Sequence, residues 1–216
     1  MDDIEQMPQD LLKRDARPRA SAEVGTTLPD GHERFVRPEH LEYFMGIALA
    51  VRERANCVGR KVGAVLALQD RVIATGYNGT PTKMTNCDEG GCDRCAHPEK
   101  YASGEGYDVC ICVHAEQNAL LSAARFGISV EGAVIFTTLR PCFGCTKELL
   151  QAKVQAVYFL HDWAHPEERL QSEYQRLQNK FSGGVNHVQV TDPREEWARG
   201  RSSRTPVDTG HPAGGS

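Results

Sequence analysis

The sequence predicts a layered α/β fold built on a mixed β-sheet. Between residues 38 and 190, strand-like apolar runs alternate with stretches of helical periodicity. The first two strands, 61–68 and 71–75, are separated only by Gln69-Asp70, which indicates a tight hairpin and therefore an antiparallel pair. The later strands are connected through helices, as is typical of parallel pairs. A sheet with both kinds of pairing follows.

The first predicted helix begins at Pro38-Glu39. Its apolar residues recur at helical spacing and form one core-facing stripe: Leu41, Phe44, Met45, Ala48 and Leu49. After the hairpin come a turn-rich loop at 76–81 and a polar insert, rich in glycine and cysteine, at 82–112. The remaining predicted elements are a helix over 114–125, a strand over 133–138, a helix over 142–152, a strand over 154–160, a helix over 166–180 and a strand over 185–190.

The 216 residues are enough for one sizeable core, which we place at 38–192, and we predict disordered tails at 1–37 and 197–216. The net charge of −4 argues against a dedicated nucleic-acid binder. The N-terminus lacks an apolar signal core, and the longest apolar run, Val62 to Leu68, is too short to span a bilayer. We therefore expect a cytoplasmic protein with no membrane association, in which cysteines bind metal rather than form disulfides.

Two short motifs carry the chemistry. His114 and Glu116 stand at the start of one predicted helix, and Cys142 and Cys145 at the start of another. The two cysteines lie within one helical turn, where the positive end of the helix favours thiolates. With His114 they supply three zinc ligands and leave the fourth position of a tetrahedral ion for water. Glu116 is then the candidate proton carrier.

The alternative is a closed structural zinc site beside an ordinary surface glutamate. It requires a fourth protein ligand, and Cys110 or Cys112 is near enough in the sequence to supply one. The pairing of His-x-Glu with Pro-Cys-x-x-Cys favours the open site, because this pairing is the signature of zinc-dependent nucleobase deaminases.

The chain resembles the deoxycytidylate (dCMP) deaminase family in more than these two motifs. Three segments occur in that family's order: Asn56-Cys57-Val-Gly-Arg60-Lys61-Val-Gly63-Ala64-Val65, Gly76-Tyr77-Asn78-Gly79-Thr80-Pro81 and Val113-His114-Ala-Glu116-Gln-Asn118-Ala. The resemblance covers roughly residues 38 to 190. It implies a three-layer α/β/α cytidine-deaminase-like fold with a central mixed five-stranded sheet. It also implies zinc-dependent hydrolysis of dCMP to dUMP and ammonia, which would supply thymidylate synthesis.

The resemblance further implies contacts with the nucleotide. Asn78 would bind the sugar hydroxyl, and the backbone N–H of Ala115 would meet the base. Arg60 and Lys61 are candidates for the phosphate, and Trp163 falls where the family tends to place an aromatic residue. Plainer interpretations stay open: Asn78 as a turn residue, the two cations as solvated charges, and Trp163 as a cap on the sheet edge.

Oligomeric state and regulation also come from the resemblance. Family members often form hexamers, and some are activated by dCTP and inhibited by dTTP with magnesium. The resemblance therefore implies a homo-oligomer and, in a regulated member, Mg²⁺ with an allosteric nucleotide. Arg125 ends the predicted catalytic helix near the place of effector and intersubunit contacts in such members. Interaction of Arg125 with the helix dipole is the plainer interpretation.

Six further cysteines remain, and five of them crowd the polar insert. Such crowding suggests a second, structural zinc that folds the insert, for which a closed site needs four ligands. By resemblance we predict Cys57, Cys87, Cys92 and Cys110 as these ligands, with Cys95 as the substitute for Cys92 and His97 as an outside candidate. Free buried thiols are the alternative.

Two rival functions stay open. One is a deaminase of the same fold that acts on dCTP, on a free nucleoside or on a base in RNA. The net charge speaks against RNA, because phosphate-backbone binding needs a basic surface. The other is a non-catalytic binding module stapled by zinc, against which the presence of Glu116 argues.

Overall fold

The computed structural model describes residues 31, 37–101, 106, 109–165 and 167–199. Five strands form one sheet in the order β2-β1-β3-β4-β5: β1 (Gly63–Leu68), β2 (Arg71–Tyr77), β3 (Val134–Leu139), β4 (Ala156–His161) and β5 (Val185–His187). β1 pairs antiparallel with β2 and with β3, whereas β3–β4 and β4–β5 are parallel. The predicted mixed five-stranded sheet is confirmed.

Helices cover both faces of this sheet. They are α1 (His40–Arg52), α2 (Asp93–Ala96), α3 (Ala115–Arg125), α4 (Phe143–Gln151) and α5 (Glu168–Gln178). Short 3-10 turns lie at Cys87–Glu89, Pro98–Lys100 and Glu195–Ala198. The apolar face of α1 packs on one side of the sheet against Val65, Phe136 and Tyr158. α3 and α4 pack on the other side against Leu66, Ile135 and Val157, so alternate strand residues feed two cores. This is the three-layer arrangement that the resemblance implied.

The hairpin between β1 and β2 is as predicted. Its two turn residues, Gln69 and Asp70, have φ of 50° and 60°, which is the left-handed conformation that a two-residue hairpin loop with the right twist requires. β2 continues to Tyr77, two residues beyond its predicted end. The start of α3 and the 76–81 loop therefore meet the end of a longer strand.

Two glycines in this hairpin let helices approach the sheet closely. A Cβ on Gly76 would lie 2.1 Å from the Ala115 carbonyl oxygen of α3. A Cβ on Gly63 would lie 2.2 Å from the Ala48 carbonyl oxygen of α1, on the opposite face. Because both partners are backbone atoms, any larger residue would push the helix away. Gly76 therefore sets the distance between the sheet and the start of α3, where His114 and Glu116 lie.

The C-terminal segment is tied to α1 and β4 by a buried ion pair. Arg52 donates two hydrogen bonds to the Asp192 carboxylate, at 2.6 and 2.7 Å, and the His161 Nε2 lies 2.6 Å from the same group. Burial alone would raise the pKa of Asp192, but the hydrogen bonds from Arg52 and His161 outweigh it and lower the pKa to about 2. The pair fixes residues 185–192 against the sheet edge.

The folded part extends further than the sequence predicts. Trp197 accepts a hydrogen bond at its carbonyl from the Lys61 N–H, and the Lys61 ammonium lies 4.6 Å from the centre of its ring. Residues 197–199, placed in the predicted tail, therefore belong to the folded unit. The rest of the two predicted tails, residues 1–36 apart from residue 31 and residues 200–216, lies outside the described residues. Within the described ranges, no helix has the length and apolarity to cross a bilayer.

Candidate active site and metal centres

Three metal-binding side chains meet where two helices begin. His114 caps the N-terminus of α3 and Cys142 caps that of α4, with Cys145 one turn further on. The His114 Nδ1 lies 3.4 Å from the sulfur of each cysteine. Hydrogen bonds from Cys145 and His114 lower the pKa of the Cys142 thiol to about 4, so this group is a thiolate at neutral pH.

This triangle has the dimensions of a zinc site. Zinc bonds of about 2.0 Å to nitrogen and about 2.3 Å to sulfur, at tetrahedral angles, place the ligand atoms about 3.5 Å apart. The three atoms lie within 4.8 Å of one another, and among the described residues no further histidine, cysteine, aspartate or glutamate joins this group. Three ligands without a fourth leave a coordination position for water, as in catalytic zinc sites. Cys110 and Cys112, the candidates for a closed site, lie in a different group.

Glu116 is a buried carboxylate beside the triangle. Its side chain is 4% exposed. Its Oε2 accepts a hydrogen bond from Cys145 at 3.6 Å, and its Oε1 lies 3.4 Å from the Thr137 hydroxyl of β3. Burial raises the pKa of Glu116 to about 7. A carboxyl group with this pKa can accept and return a proton near neutral pH, as a general acid–base group must.

Local hydrogen bonds hold the start of α3 in place. The Gln117 Oε1 accepts a hydrogen bond from the His114 N–H at 2.9 Å, completing a capping box. Val113 exchanges two backbone hydrogen bonds with Gly79 of the 76–81 loop. The Asn118 amide donates to the Tyr77 carbonyl at 2.7 Å. The Gly-Tyr-Asn-Gly-Thr-Pro loop is therefore bonded to the residue that precedes the predicted metal ligand.

A cavity of about 670 Å³ opens above the triangle. Its lining includes His114, Cys142, Cys145, Trp163 and His165. A volume of this size is within the range of small-ligand sites, roughly 300–1,000 Å³. Trp163 is 7% exposed and presents its ring between Tyr174 and His165 in edge-to-face contacts. The predicted aromatic residue thus lines the cavity.

The other predicted substrate residues lie away from this lining. Asn78 is buried, its Oδ1 accepts from the Val62 N–H at 2.8 Å, and its Nδ2 donates to the Arg60 carbonyl at 2.7 Å. The side chain therefore fixes the backbone of residues 60–62. Arg60 and Lys61 are half-buried beside it, and Ala115 is fully buried at the first turn of α3. Substrate contact by these residues stays a prediction.

The remaining six cysteines form one buried cluster that differs from the predicted set. One group of four sulfurs within 4.8 Å of one another contains Cys57, Cys87, Cys95 and Cys112, and a second contains Cys92, Cys95, Cys110 and Cys112. The predicted set of Cys57, Cys87, Cys92 and Cys110 is neither of these groups: it takes two sulfurs from each and omits Cys95 and Cys112, which both groups share. His97, the outside candidate, bonds Glu99 instead and joins neither group.

The sequence of residues 38–161 matches the model of the cytidine and deoxycytidylate deaminase zinc-binding region. This range holds the His114, Cys142 and Cys145 triangle together with Glu116. The chain belongs to the cytidine and deoxycytidylate deaminase family. The matched region is described as zinc-binding, and zinc is also the metal whose ligand spacing the triangle fits.

Two curated relatives of this chain are deoxycytidylate deaminases. The chain is 43% identical over 123 residues to the deoxycytidylate deaminase of Schizosaccharomyces pombe, covering 57% of this chain and 37% of that protein. It is 38% identical over 133 residues to that of Saccharomyces cerevisiae, covering 62% of this chain and 41% of that protein. The chain thus spans about two fifths of the length of these curated relatives.

A solved structure covers more of the fold. The dCMP deaminase from the cyanophage S-TIM5, crystallised in complex with dCMP and dUMP, is similar with a TM-score of 0.51 and 30% identity. The similarity covers 72% of this chain and 100% of the cyanophage chain. It supports the cytidine-deaminase-like fold described above.

Sequence reasoning missed two supporting groups. Thr137 beside Glu116 comes from a buried strand, where periodicity says only that the residue is inside. Gln117 was detectable, because a glutamine three residues after a helix-capping residue is a capping-box pattern. Both contact the residues that the motifs identified rather than adding new chemistry.

Proposed function

We propose that this chain is a zinc-dependent deaminase that converts dCMP and water into dUMP and ammonia. One observation carries the proposal: the His114, Cys142 and Cys145 triangle sits at a nucleotide-sized cavity, with the buried carboxyl group of Glu116 next to Cys145. The activity named for the relatives, and the dCMP and dUMP bound to the cyanophage enzyme, support this substrate. The product dUMP would supply thymidylate synthesis.

The residues divide the chemistry between holding the metal and moving protons. His114, Cys142 and Cys145 would hold a zinc ion, which lowers the pKa of water to about 7 and so provides a nucleophile at neutral pH. Glu116 would take the proton from the attacking water and deliver it to N3 of the cytosine ring. It would then take the remaining proton from the hydroxyl added at C4 and pass it to the exocyclic amine, which leaves as ammonia while the C4 carbonyl forms. Its pKa of about 7 suits both directions of transfer.

The remaining predicted residues would orient the nucleotide. Trp163, which lines the cavity, would contact the ring system, and the backbone N–H of Ala115 would meet the base. Asn78 would serve the sugar, either directly or through the backbone of residues 60–62 that it fixes. Arg60 and Lys61 would attract the phosphate from beside the same loop.

Regulation and assembly form a further part of the proposal. Three apolar side chains are exposed around the end of α3: Leu121 at 54%, Phe126 at 71% and Ile128 at 38%. Exposed apolar residues grouped in this way are typical of subunit contacts. We infer a homo-oligomer, a hexamer by resemblance, in which Arg125 beside Phe126 takes part in the contact. Control by dCTP and by dTTP with Mg²⁺ belongs to the same inference, and light scattering with and without these nucleotides tests both.

Ammonia release tests the proposed reaction. The purified chain would be assayed against cytidine, deoxycytidine, CMP, dCMP, dCTP and an RNA loop at matched concentrations. We expect selective turnover of dCMP, with KM for dCMP raised in Arg60→Ala and Lys61→Ala while turnover of deoxycytidine is unchanged. Selective turnover of another member of the panel would overturn the substrate. No turnover of any member by zinc-loaded protein would overturn the enzyme.

A further inference from the structure

We propose that the six cysteines outside the triangle bind two zinc ions as one six-thiolate cluster, in which Cys95 and Cys112 bridge both ions. The first ion would be completed by Cys57 and Cys87 and the second by Cys92 and Cys110. A single structural zinc, as the sequence predicted, would use only four of these thiols.

The sulfur separations are those of metal ligands. Cys95 lies 3.8 Å from Cys57 and 3.7 Å from Cys110, and Cys92 lies 3.8 Å from Cys110. In a tetrahedral site with zinc–sulfur bonds of about 2.3 Å, neighbouring sulfurs stand about 3.8 Å apart. A disulfide would bring two sulfurs to about 2.05 Å, and none of the six cysteines forms one. The spacing therefore excludes a disulfide and equals the spacing expected for sulfurs that share a tetrahedral metal ion.

The sharing of two sulfurs follows from how the groups overlap. Each group contains four sulfurs, and Cys95 and Cys112 belong to both. Two four-coordinate ions offer eight ligand positions, and six thiolates fill eight positions only if two of them bridge. The arrangement is therefore a pair of tetrahedra with a common edge from Cys95 to Cys112. If only one group bound an ion, the two thiols outside that group would remain without a metal, next to the sulfurs that hold the ion.

The chemistry of the pocket favours zinc in both positions. Five of the six side chains are buried, and both groups consist of sulfur ligands alone. Soft thiolate ligands in tetrahedral arrangement select zinc or an iron–sulfur cluster. On binding, six thiols release six protons and two dications enter, so the cluster keeps a charge of minus two. The Val58 N–H donates to the Cys87 sulfur at 3.5 Å and offsets part of this charge.

The cluster would supply the core that the insert otherwise lacks. Within its described residues, 82–101, 106 and 109–112, the insert contains only a 3-10 turn at Cys87–Glu89, the four-residue α2 and a second turn at Pro98–Lys100. The apolar side chains that pack on the cysteines are few: Val58 and Ile111. Segments of this kind fold on metal binding, because the ligands replace a hydrophobic core. Since Cys112 stands two residues before His114, the same ions would fix the approach to the active site.

Counting zinc in a variant without the catalytic triangle tests the proposal. The double variant Cys142→Ser/Cys145→Ser of the full chain, purified from zinc-supplemented medium, would be measured by elemental analysis and native mass spectrometry. We expect two zinc ions per chain, against three in the wild type. One zinc in the variant would overturn the shared cluster, and so would iron with inorganic sulfide or a mass that fits disulfides. Neither measurement depends on turnover, so a negative result for the cluster does not bear on the proposed deaminase activity.

Cadmium-113 NMR tests the bridging sulfurs directly. With cadmium in place of zinc in the same double variant, we expect two thiolate-coordinated resonances that are coupled to each other through the shared sulfurs. Two uncoupled resonances, or one resonance, would overturn the bridge. This measurement changes none of the six cluster cysteines and can equally be made on the wild-type chain, so it stands if a variant of a cluster cysteine fails to fold.

Matched serine variants separate terminal from bridging ligands. In the same background, Cys87→Ser should lose the first ion and Cys92→Ser the second, each leaving one zinc per chain. Cys112→Ser should lose both, because its sulfur belongs to both groups. Retention of zinc by Cys112→Ser would contradict the bridging role of its sulfur, and an unchanged count in Cys92→Ser would show that the second group binds no ion of its own; either result contradicts the proposal.

Discussion

The His114, Cys142 and Cys145 triangle and the six-cysteine cluster have similar ligands, but one is an open site and the other a closed one. The triangle joins one nitrogen and two sulfurs at helix N-termini, opens on a cavity and has the buried Glu116 beside it. The cluster contains only sulfur and is almost entirely buried, and four of its ligands come from residues 87–110, whose described part holds only the four-residue α2 and two 3-10 turns. The triangle leaves room for water and a substrate, whereas the proposed cluster would fill every ligand position of its ions with protein.

This difference separates chemistry from folding. An open site reacts because a coordination position and a proton carrier are both available. A closed site stabilises, because its ligands fix chain segments that bury little apolar surface. Because Cys112 stands two residues before His114, we expect the folding of the insert to be a condition for the geometry of the active site.

The largest expected effect is a loss of turnover without a loss of zinc when Glu116 is replaced. Glu116→Gln should lower kcat for dCMP by about 10²–10⁴-fold, because the amide cannot accept the proton of the attacking water. Zinc content should stay unchanged, since Glu116 is not among the three ligands. Steady-state kinetics beside elemental analysis would check both parts. Wild-type-like kcat would remove Glu116 from the mechanism.

A matched carboxylate provides the control for this variant. Glu131 is 55% exposed, pairs with Lys153 at 2.7 Å and belongs to none of the groups of candidate metal ligands. Glu131→Gln should leave kcat unchanged and shift the free energy of unfolding by no more than about 0.5 kcal/mol. A loss of turnover in this control would mean that the effect of Glu116→Gln is not local.

The second prediction concerns the buried ion pair between Arg52 and Asp192, whose loss should lower stability without changing zinc binding. Asp192→Asn should lower the free energy of unfolding by about 3 kcal/mol at pH 7, because it leaves Arg52 buried without its carboxylate. The pKa of Asp192 is lowered in the folded state to about 2, so its stabilisation is complete above the unfolded pKa of about 4 and is lost as the pH falls towards 2. Urea titrations of both proteins should therefore show a difference that shrinks by about 2 kcal/mol over this window. Zinc content at pH 7 should not change, and a variant that loses zinc would contradict this expectation.

The smallest effect concerns the close approach of α3 to the sheet. Gly76→Ala should lower the free energy of unfolding by about 1–3 kcal/mol, because its Cβ would meet the backbone of α3. It should also lower kcat by moving His114 and Glu116 while the six-cysteine cluster keeps its zinc. Gly46→Ala in α1 is the matched control, since its Cβ meets no atom within 4 Å. That change should instead raise stability by about 0.5–1 kcal/mol. Equal effects of the two changes, measured by thermal unfolding, would show that the close contact is unimportant.

The sequence predicts the triangle better than the cluster for a physical reason. His114 with Glu116, and Cys142 with Cys145, are separated by two or three residues at helix starts, so local geometry alone sets their relative positions. The cluster joins segments from Cys57 to Cys112 through an irregular insert, where spacing says nothing about distance. One signal was available: in an extended stretch, residues two apart point to the same side, so Cys110 and Cys112 were candidates as a pair.

Other differences arise where the sequence leaves side-chain direction open. Asn78 stands in a motif that points to substrate, yet its amide bonds the backbone of residues 60–62. Trp197 belongs to a segment without periodicity and is placed by its contact with Lys61. The sheet order and the helix faces, in contrast, follow from apolar patterns that repeat over many residues.

The most direct measurement of the central claim is a timed chelation that records zinc content and dCMP turnover in the same sample. The open triangle should release its ion first, so turnover should fall to zero with the first zinc while two ions per chain remain bound. The buried cluster should lose its ions later, together with the fold of the insert. Release of all ions in one phase, or turnover that persists after the first ion has left, would contradict the separation of an open catalytic site from a closed structural cluster.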